Sequence, residues 1–205
     1  MVKKAVVLVS GSGTNLQALI DKIKEGYLPM EIAAVISDRE GIYALERAKQ
    51  NNIPFFVISK NKLGNLFYEE LLKTVKKINP DVIILAGFLT ILNEKFIDEF
   101  PFKIINIHPS LIPSFCGKGY YGMKVHRAVI EYGVKYTGCT VHFVDSGTDT
   151  GPIIFQEVVK VEDDDTEETI SKKVLEKEHE LLPKAVKYFL EGRLKIEGRK
   201  VFIQK

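Results

Sequence analysis

Tryptophan is absent from the sequence, and cysteine is nearly so, with only Cys116 and Cys139 among 205 residues. Two cysteines cannot form the set of disulfides that stabilises small secreted proteins, and their spacing does not match a metal site. We expect both to be small, fully or partly buried thiols without a catalytic role. This cysteine content is typical of a protein from the reducing cytoplasm.

Long apolar runs are also missing. The start, MVKKAVVLVSGSG, resembles a signal peptide because two lysines precede apolar residues, but the apolar run ends at Val9. That run is too short for the apolar part of a signal peptide, and no other stretch is long enough to span a bilayer. We therefore expect a protein that does not associate with membranes.

Neither sign of charge dominates. The 29 basic residues exceed the 27 acidic ones by only two, and the two kinds are interspersed. A nucleic-acid-binding protein would show a basic face, so this class is excluded, whereas a small anionic ligand is compatible with the charge. The length suits one domain with a large core, and we predict a single domain over residues 1–205.

The first hundred residues alternate short β-branched runs with amphipathic stretches. The runs are almost continuously apolar, which is typical of strands covered on both faces. The strand candidates are 5–10, 31–37, 54–59, 81–87 and 103–107, and the helix candidates between them are 14–26, 42–52, 65–79 and 93–100. Such alternation predicts an α/β fold with a doubly wound, mostly parallel, Rossmann-like sheet, whose first half is residues 1–100.

The pattern changes in the second half, residues 101–205. A loop rich in Gly and Tyr is followed by a helix, two strands, a long helix and a closing hairpin that turns at Glu197-Gly198. Their predicted positions are 114–124 for the loop, 125–132 for the helix, and 137–145 and 151–161 for the strands. Asp165 with Glu168 resembles a capping box at the start of the long helix, and Pro183 should kink or interrupt it.

The segment SGSGTN, Ser10 to Asn15, lies between the first strand and the first helix. A glycine-rich turn in this position can hold a phosphate with backbone N–H groups and the helix N-terminus. It is not a P-loop, and it matches the dinucleotide fingerprint only in part, because Leu16 occupies the third glycine position. A nicotinamide cofactor with Asp38 on its ribose stays open, as does a simple tight turn with Thr14 as N-cap.

The segment NIHPSLIP places Asn106 and His108 at the carboxyl end of a predicted strand, where ligands of open α/β sheets bind. Residues two apart on a strand point to the same side. An amide donor beside an imidazole suits a reaction in which a carbonyl gathers negative charge while a proton moves. Ser110 lacks the surroundings of a nucleophilic serine, and a hydrogen-bonded core histidine is the alternative for His108.

A third segment, VHFVDSGTDTGP, contains Asp145 and Asp149 around a turn. An aspartate near His108 would favour the imidazolium and raise the pKa of His108. The alternative for Asp149 is a turn residue whose carboxylate binds its own backbone. His142 lies inside a strand, where a histidine is usually part of the packing.

Taken together, SGSGTN, NIHPSLIPSF and HFVDSGTDTGPII resemble the folate-dependent formyltransferases over nearly the whole chain. GSGTN is the narrower mark, typical of the branch that acts on glycinamide ribonucleotide. The resemblance implies the formyltransferase fold, in which a strand pair and a long helix are added to the C-terminal side of the sheet. It implies transfer of the formyl group of 10-formyltetrahydrofolate to the amine of glycinamide ribonucleotide in purine biosynthesis, without a metal.

The resemblance also implies roles for individual residues. It assigns catalysis to Asn106, His108 and Asp149. The residues implied for the ribonucleotide phosphate and ribose are Gly13, Thr14, Asn15 and Glu178, and those implied for folate are Leu89, Thr90, Ile91, Leu92, Asn106, Asp145, Ser146, Gly147, Thr148 and Asp149. On this hypothesis residues 101–205 are the catalytic and folate-binding half. We expect small-molecule substrates only, a cytoplasmic location, and a monomer or weak homodimer.

Three rival hypotheses remain from the sequence. The first is another formyl-group enzyme, either a transferase to a different amine or a deformylase that uses water. The second is a regulatory module that binds a nucleotide through SGSGTN without chemistry. The third is a nicotinamide dehydrogenase, which rests on Gly11, Gly13 and Asp38.

Overall fold

The computed structural model describes residues 2–204, and these fall into two compact units that divide between Ile105 and Asn106. The fold is mixed α/β, with a mostly parallel sheet in the first part of the chain and antiparallel strands toward the C-terminus. This confirms the predicted fold class. None of the helices among residues 2–204 is long and apolar enough to cross a membrane.

The first unit alternates strands and helices as predicted. Its strands are β1 Lys3–Val9, β2 Met30–Ser37, β3 Phe55–Val57 and β4 Val82–Leu85, and its helices are α1 Thr14–Lys24, α2 Tyr43–Gln50, α3 Lys60–Leu63, α4 Phe67–Ile78 and α5 Glu94–Asp98. The strands are parallel in the order β3-β2-β1-β4. Strand β5, Ile104–His108, begins in this unit and carries the chain into the second.

Burial explains why these segments are strands and helices. Residues 5–9 of β1 are all fully buried, as expected for an apolar strand with neighbours on both sides and helices over the sheet. Helix α1 buries Leu16, Leu19 and Ile20, which recur at helical spacing, and it ends just before Gly26, whose φ is 74°. The ends of β1, β2 and α1 therefore follow from apolar periodicity and from glycine.

The second unit contains the rest of β5 and the elements that follow it. These are α6 Met123–Tyr132, β6 Tyr136–Phe143, β7 Ile153–Lys160, α7 Glu167–Leu190, β8 Leu194–Glu197 and β9 Lys200–Ile203. Strands β6 and β7 pair antiparallel, as do β8 and β9. The register of β6 and β7 shifts between Val141 and His142. Such irregularities re-aim side chains and are frequent next to active sites.

Helix α7 differs from the prediction at its N-cap, and it is not interrupted at Pro183. Its N-cap is Thr166, which forms a reciprocal capping box with Thr169, whereas the expected pair was Asp165 with Glu168. Asp165 instead accepts hydrogen bonds from the hydroxyl of Thr169 and the ammonium of Lys173. The helix also continues through Pro183 without interruption. Proline costs one backbone hydrogen bond there, and the buried residues on either side of it keep the segment helical.

Candidate active site

The carboxyl end of β5 places two predicted residues in a cluster of polar side chains within the second unit. Asn106 Nδ2 lies 3.1 Å from His142 Nε2. Nδ1 of His108 lies 3.5 Å from Oδ2 of Asp149, and Nε2 of His142 lies 3.7 Å from Oδ1 of the same carboxylate. The structure therefore brings the three residues expected to be catalytic together, with His142 as a fourth member.

Hydrogen-bond partners determine which ring nitrogens carry protons. Nε2 of His108 lies 3.0 Å from the carbonyl oxygen of Phe115, and Nδ1 of His142 lies 2.7 Å from that of Phe143. Carbonyl oxygens only accept, so these two nitrogens carry the protons of the neutral rings. Nδ1 of neutral His108 is then unprotonated and faces Oδ2 of Asp149. Nε2 of His142 lies between Nδ2 of Asn106 and Oδ1 of Asp149.

Burial and charge set the pKa values of this cluster. Burial lowers the pKa of His108 below its usual value, and the attraction of Asp149 and the contact with Phe115 offset this only in part. Burial alone would raise the pKa of Asp149, but His142, His108 and the N–H of Gly117 outweigh it and hold that pKa below its usual value. At neutral pH the cluster thus contains the carboxylate of Asp149 beside the neutral imidazole of His108.

This result corrects one expectation from the sequence. Asp149 was expected to raise the pKa of His108 and keep the ring charged, and its charge does act in that direction. The effect of burial is larger, because only 4% of His108 is exposed to water that would solvate an imidazolium. His108 is therefore neutral in the free protein and can accept a proton at Nδ1.

A network of hydrogen bonds holds the chain that follows His108. The hydroxyl of Thr140 donates to the carbonyl of Ser110 at 2.7 Å and accepts from the N–H of Ile112 at 3.1 Å. Gln156 Nε2 donates to the carbonyl of Ile112 and to the hydroxyl of Thr140, both at 3.0 Å. These bonds join β6 and β7 to the turn, where the Ile112–Pro113 peptide is cis.

Two residues at the cluster have left-handed backbone although they are not glycine. Phe115 has a φ of 49°, and its carbonyl accepts from Nε2 of His108 and also from the hydroxyl of Ser110. Asp149 has a φ of 57°, and its Oδ2 accepts from the N–H of Gly117 at 2.9 Å. The carboxylate of Asp149 therefore binds the N–H of Gly117 and not the backbone of its own loop. The carboxylate that stabilises this turn is that of Asp145, which accepts from the N–H of Gly147.

His142 is a member of the cluster whose role was not predicted from the sequence. It was expected to serve packing, and it is indeed 2% exposed. Its Nε2, however, is the atom that joins Asn106 to Asp149. Its position in HFVD, three residues before Asp145, could have indicated a role in the site. However, the sequence does not distinguish a buried strand histidine that orients its neighbours from one that only packs in the core.

His126 on α6 is a further buried imidazole. Burial and, to a smaller extent, the charge of His108 lower the pKa of His126 to about 4, and Glu167 opposes both. Its Nδ1 has no hydrogen-bond partner among the described residues. The neutral ring is therefore part of the folded structure, whereas the unfolded chain binds a proton there below about pH 6.5.

This difference predicts an acid-sensitive contribution to stability. The contribution of His126 should be complete above about pH 6.5 and decline as the pH falls toward the folded-state value near 4. Between pH 7 and pH 5, we expect wild type to lose about 2 kcal/mol more unfolding free energy than His126→Leu. Urea titrations at the two pH values measure this. Equal losses in the two proteins would contradict the prediction.

The glycine-rich loop of the first unit precedes α1. Gly13 is the N-cap of α1, with a φ of 75° and no side-chain cap, so the alternative with Thr14 as N-cap is wrong. A Cβ at Gly13 would lie 2.7 Å from Cβ of Ala44. Gly13 is thus required both by its backbone conformation and by close packing against α2. Asn15 is buried in the first turn of α1.

The segment Leu89–Leu92, also in the first unit, alternates exposed and buried residues. Leu89 and Ile91 are exposed, whereas Thr90 and Leu92 are buried. The Thr90 hydroxyl donates to Asp38 Oδ2 at 2.8 Å. Asp38 is buried and also paired with Arg39, which leaves it unavailable to a ribose. The nicotinamide hypothesis therefore loses its acidic residue.

The remaining predicted binding residues lie in the second unit. Glu178 is buried on α7. In the loop between β6 and β7, Asp145, Thr148 and Asp149 are half-buried, and Ser146 and Gly147 are exposed. No group of three His, Cys, Asp or Glu side chains suited to a metal ion occurs in residues 2–204.

The two cysteines are free thiols, as expected. Burial raises the pKa of the Cys139 thiol far above its usual value. Burial and then the charge of Asp149 raise the pKa of Cys116. A thiol with a raised pKa is a poor nucleophile at neutral pH. Neither cysteine is therefore suited to covalent catalysis.

Comparison with known proteins adds a family to this geometry. The model of the formyl transferase family matches residues 3–186. The chain belongs to the formyl transferase family. It is 39% identical over 203 residues to a phosphoribosylglycinamide formyltransferase of Haemophilus influenzae, covering 98% of this chain and 93% of that protein. It is 38% identical to the chloroplastic phosphoribosylglycinamide formyltransferase of Arabidopsis thaliana, covering 94% of this chain and 67% of that protein.

Solved structures of the formyl transferase family agree with this membership. Glycinamide ribonucleotide transformylase 1 of Symbiobacterium toebii superposes with a TM-score of 0.93 and 41% identity, covering 99% of this chain and 94% of that one. A formyltetrahydrofolate deformylase of Pseudomonas syringae superposes with a TM-score of 0.91 and 28% identity, covering 100% and 67%. The chain spans only 19% of the trifunctional purine biosynthetic protein adenosine-3 of Gallus gallus, to which it is 41% identical.

Proposed function

We propose that this protein transfers the formyl group of 10-formyltetrahydrofolate to the amine of glycinamide ribonucleotide, a step of purine biosynthesis. One observation carries the proposal. The imidazoles of His108 and His142 each present a ring nitrogen to the single carboxylate of Asp149, at 3.5 and 3.7 Å. This arrangement can take up one proton and return it, as an amine-to-formyl transfer requires. The names of the most similar relatives support the choice of substrate.

In the proposed mechanism the amine attacks the formyl carbon, and the carbonyl oxygen becomes an oxyanion. Asn106 donates to this oxygen with an Nδ2 proton, and one such prearranged donor is typically worth about 3 kcal/mol. The proton of the attacking nitrogen passes, through water, to the pair formed by Asp149 and Nδ1 of His108. His108 is an imidazolium only during this step, while it carries that proton. Its positive charge then stabilises the oxyanion.

Collapse of the tetrahedral intermediate breaks the bond from the formyl carbon to the folate nitrogen. The same proton then moves from the His108–Asp149 pair to the departing nitrogen, so that the site returns to its starting charge. A lowered pKa of His108 favours this second transfer, because an imidazolium that is poorly solvated is a stronger acid. No covalent bond to the protein forms. Ser110 is not used as a nucleophile, because its hydroxyl donates to the carbonyl of Ser114 at 2.6 Å.

Binding residues are assigned on the same hypothesis. We propose that Gly13, Thr14, Asn15 and Glu178 bind the ribonucleotide. The folate is assigned to Leu89–Leu92 and to Asp145–Asp149, with Asn106 contacting the formyl end. The exposed apolar side chains of Leu89 and Ile91 support a role in binding an aromatic ring system. A single domain over residues 1–205, a cytoplasmic location and a monomer or weak homodimer belong to this proposal.

The proposal is tested by following formation of tetrahydrofolate from 10-formyltetrahydrofolate with and without glycinamide ribonucleotide. We expect turnover that depends on the ribonucleotide and yields one formylated product for each folate released. Equal folate release without the ribonucleotide would instead indicate a deformylase, the activity named for the similar Pseudomonas syringae protein. Binding of substrate without any turnover would favour the regulatory module.

A further inference from the structure

Helix α2 lies on one side of the glycine-rich loop and donates hydrogen bonds to two of the loop's backbone carbonyls. The N–H of Ala44 donates to the carbonyl of Gly11 at 3.2 Å. Nε of Arg47 donates to the carbonyl of Ser12 at 2.9 Å. The next carbonyl, that of Gly13, accepts from the N–H of Gln17 inside α1 at 2.9 Å. All three carbonyls of the loop therefore have partners within the first unit.

These contacts determine where the loop directs its N–H groups. In a trans peptide the C=O and the following N–H point in opposite directions. Because α2 binds the carbonyls of Gly11 and Ser12, the N–H groups of Ser12 and Gly13 point away from α2. Neither N–H has an acceptor within residues 2–204, although Gly13 is buried. Adjacent free N–H groups in a glycine-rich turn form an anion site.

Arg47 also brings charge to this loop. Its Nη1 donates to Oε1 of Gln17 at 3.0 Å, and the guanidinium lies 4.8 Å from the ring centre of Tyr43. Arg47 forms no ion pair with an Asp or Glu in the part of the chain that the structure describes. Arg47 is half-buried, so its positive charge is less screened by water than that of a fully exposed residue would be.

We propose that Arg47 is a positioning residue for a phosphate monoester, orienting the loop of residues 11–13 and supplying the positive charge that the loop lacks. This inference rests on the proposed function, because it concerns the loop assigned there to the ribonucleotide phosphate. Arg47 acts from the carbonyl side of the loop and does not touch the phosphate. Its contribution is to hold the Ser12–Gly13 peptide in one orientation and to lower the cost of bringing a dianion there.

The test compares three variants on helix α2. Arg47→Met removes both the charge and the bond to Ser12, and Arg47→Lys keeps the charge and can still donate. Lys49→Met is the matched control, since it removes one exposed positive charge from the same helix. Ribose 5-phosphate is the probe, and its Kd is measured by NMR titration at low and at high salt. Thermal melts establish that each variant is folded.

We expect Arg47→Met to weaken binding of ribose 5-phosphate about tenfold at low salt and less at high salt. Arg47→Lys should restore most of the affinity, and Lys49→Met should stay within about twofold of wild type. In the formyl-transfer assay, Arg47→Met should raise the KM for glycinamide ribonucleotide and leave the KM for 10-formyltetrahydrofolate unchanged.

Three results would overturn the inference: no binding of ribose 5-phosphate by wild type, equal weakening by Arg47→Met and Lys49→Met, or the same rise in both KM values. Failure of the proposed function looks different. In that case ribose 5-phosphate binding would still depend on Arg47, while wild type would transfer no formyl group to glycinamide ribonucleotide.

Discussion

Replacing Asp149 by Asn should lower kcat for formyl transfer by about a thousandfold, within the usual range for loss of a proton-transferring side chain. The amide has the shape of the carboxylate and tolerates the left-handed backbone that Asp149 adopts at φ 57°. It has neither the negative charge nor the basicity needed to take a proton from the attacking amine. We therefore expect KM values and the melting temperature to change little.

Steady-state kinetics with both substrates varied separates these effects, and Asp163→Asn serves as the control. Asp163 is exposed and pairs with Lys135 at the surface, so its neutralisation changes net charge equally but leaves the cluster intact. Asp163→Asn should retain wild-type kcat. If Asp149→Asn turned over within a few-fold of wild type, the assignment of Asp149 would be wrong.

Replacing His108 by Ala should also lower kcat by about a thousandfold. The change removes Nδ1, the atom that faces Asp149, and also the donor to the carbonyl of Phe115. Proton transfer and stabilisation of the oxyanion are lost together. The double variant with Asp149→Asn should be scarcely worse than either single variant, because the two side chains carry the same proton.

The matched control for His108 is Cys116→Ala, which removes a thiol a few residues further along the same turn. The thiol donates only to the carbonyl of Pro113, and its raised pKa makes it unreactive, so kcat should stay within about twofold. Loss of activity in Cys116→Ala together with an active His108→Ala would transfer the chemistry to the cysteine. Urea titration of both variants shows whether a loss of activity reflects unfolding.

Apolar periodicity predicted most of the fold because burial and periodicity agree in the first unit. Five consecutive apolar positions of β1 are fully buried, and α1 has its apolar residues at helical spacing. The prediction was less accurate where alternatives of similar energy compete. Thr166 rather than Asp165 caps α7, although both side chains can accept from the backbone. Pro183 is tolerated because tertiary packing outweighs helix propensity.

The members of the candidate site could be predicted from the sequence, but its electrostatics could not. Spacing on one strand placed Asn106 and His108 together at the carboxyl end of the sheet, and the resemblance to the formyltransferases added Asp149. The protonation state of His108 depends on how much water reaches the ring, which is a property of the folded chain. The register shift between Val141 and His142 in β6 is another feature that the sequence does not indicate.

The left-handed backbone at residue 149 has a consequence for how this position evolves. Backbone conformation alone would favour glycine there, since glycine adopts positive φ without steric cost. Backbone conformation therefore does not select for aspartate, whereas the contacts of its carboxylate with His108, His142 and the N–H of Gly117 do. In a descendant that has lost the reaction but kept the fold, drift from aspartate to glycine or asparagine at position 149 would mark the loss, while Gly13 would persist for its packing against Ala44.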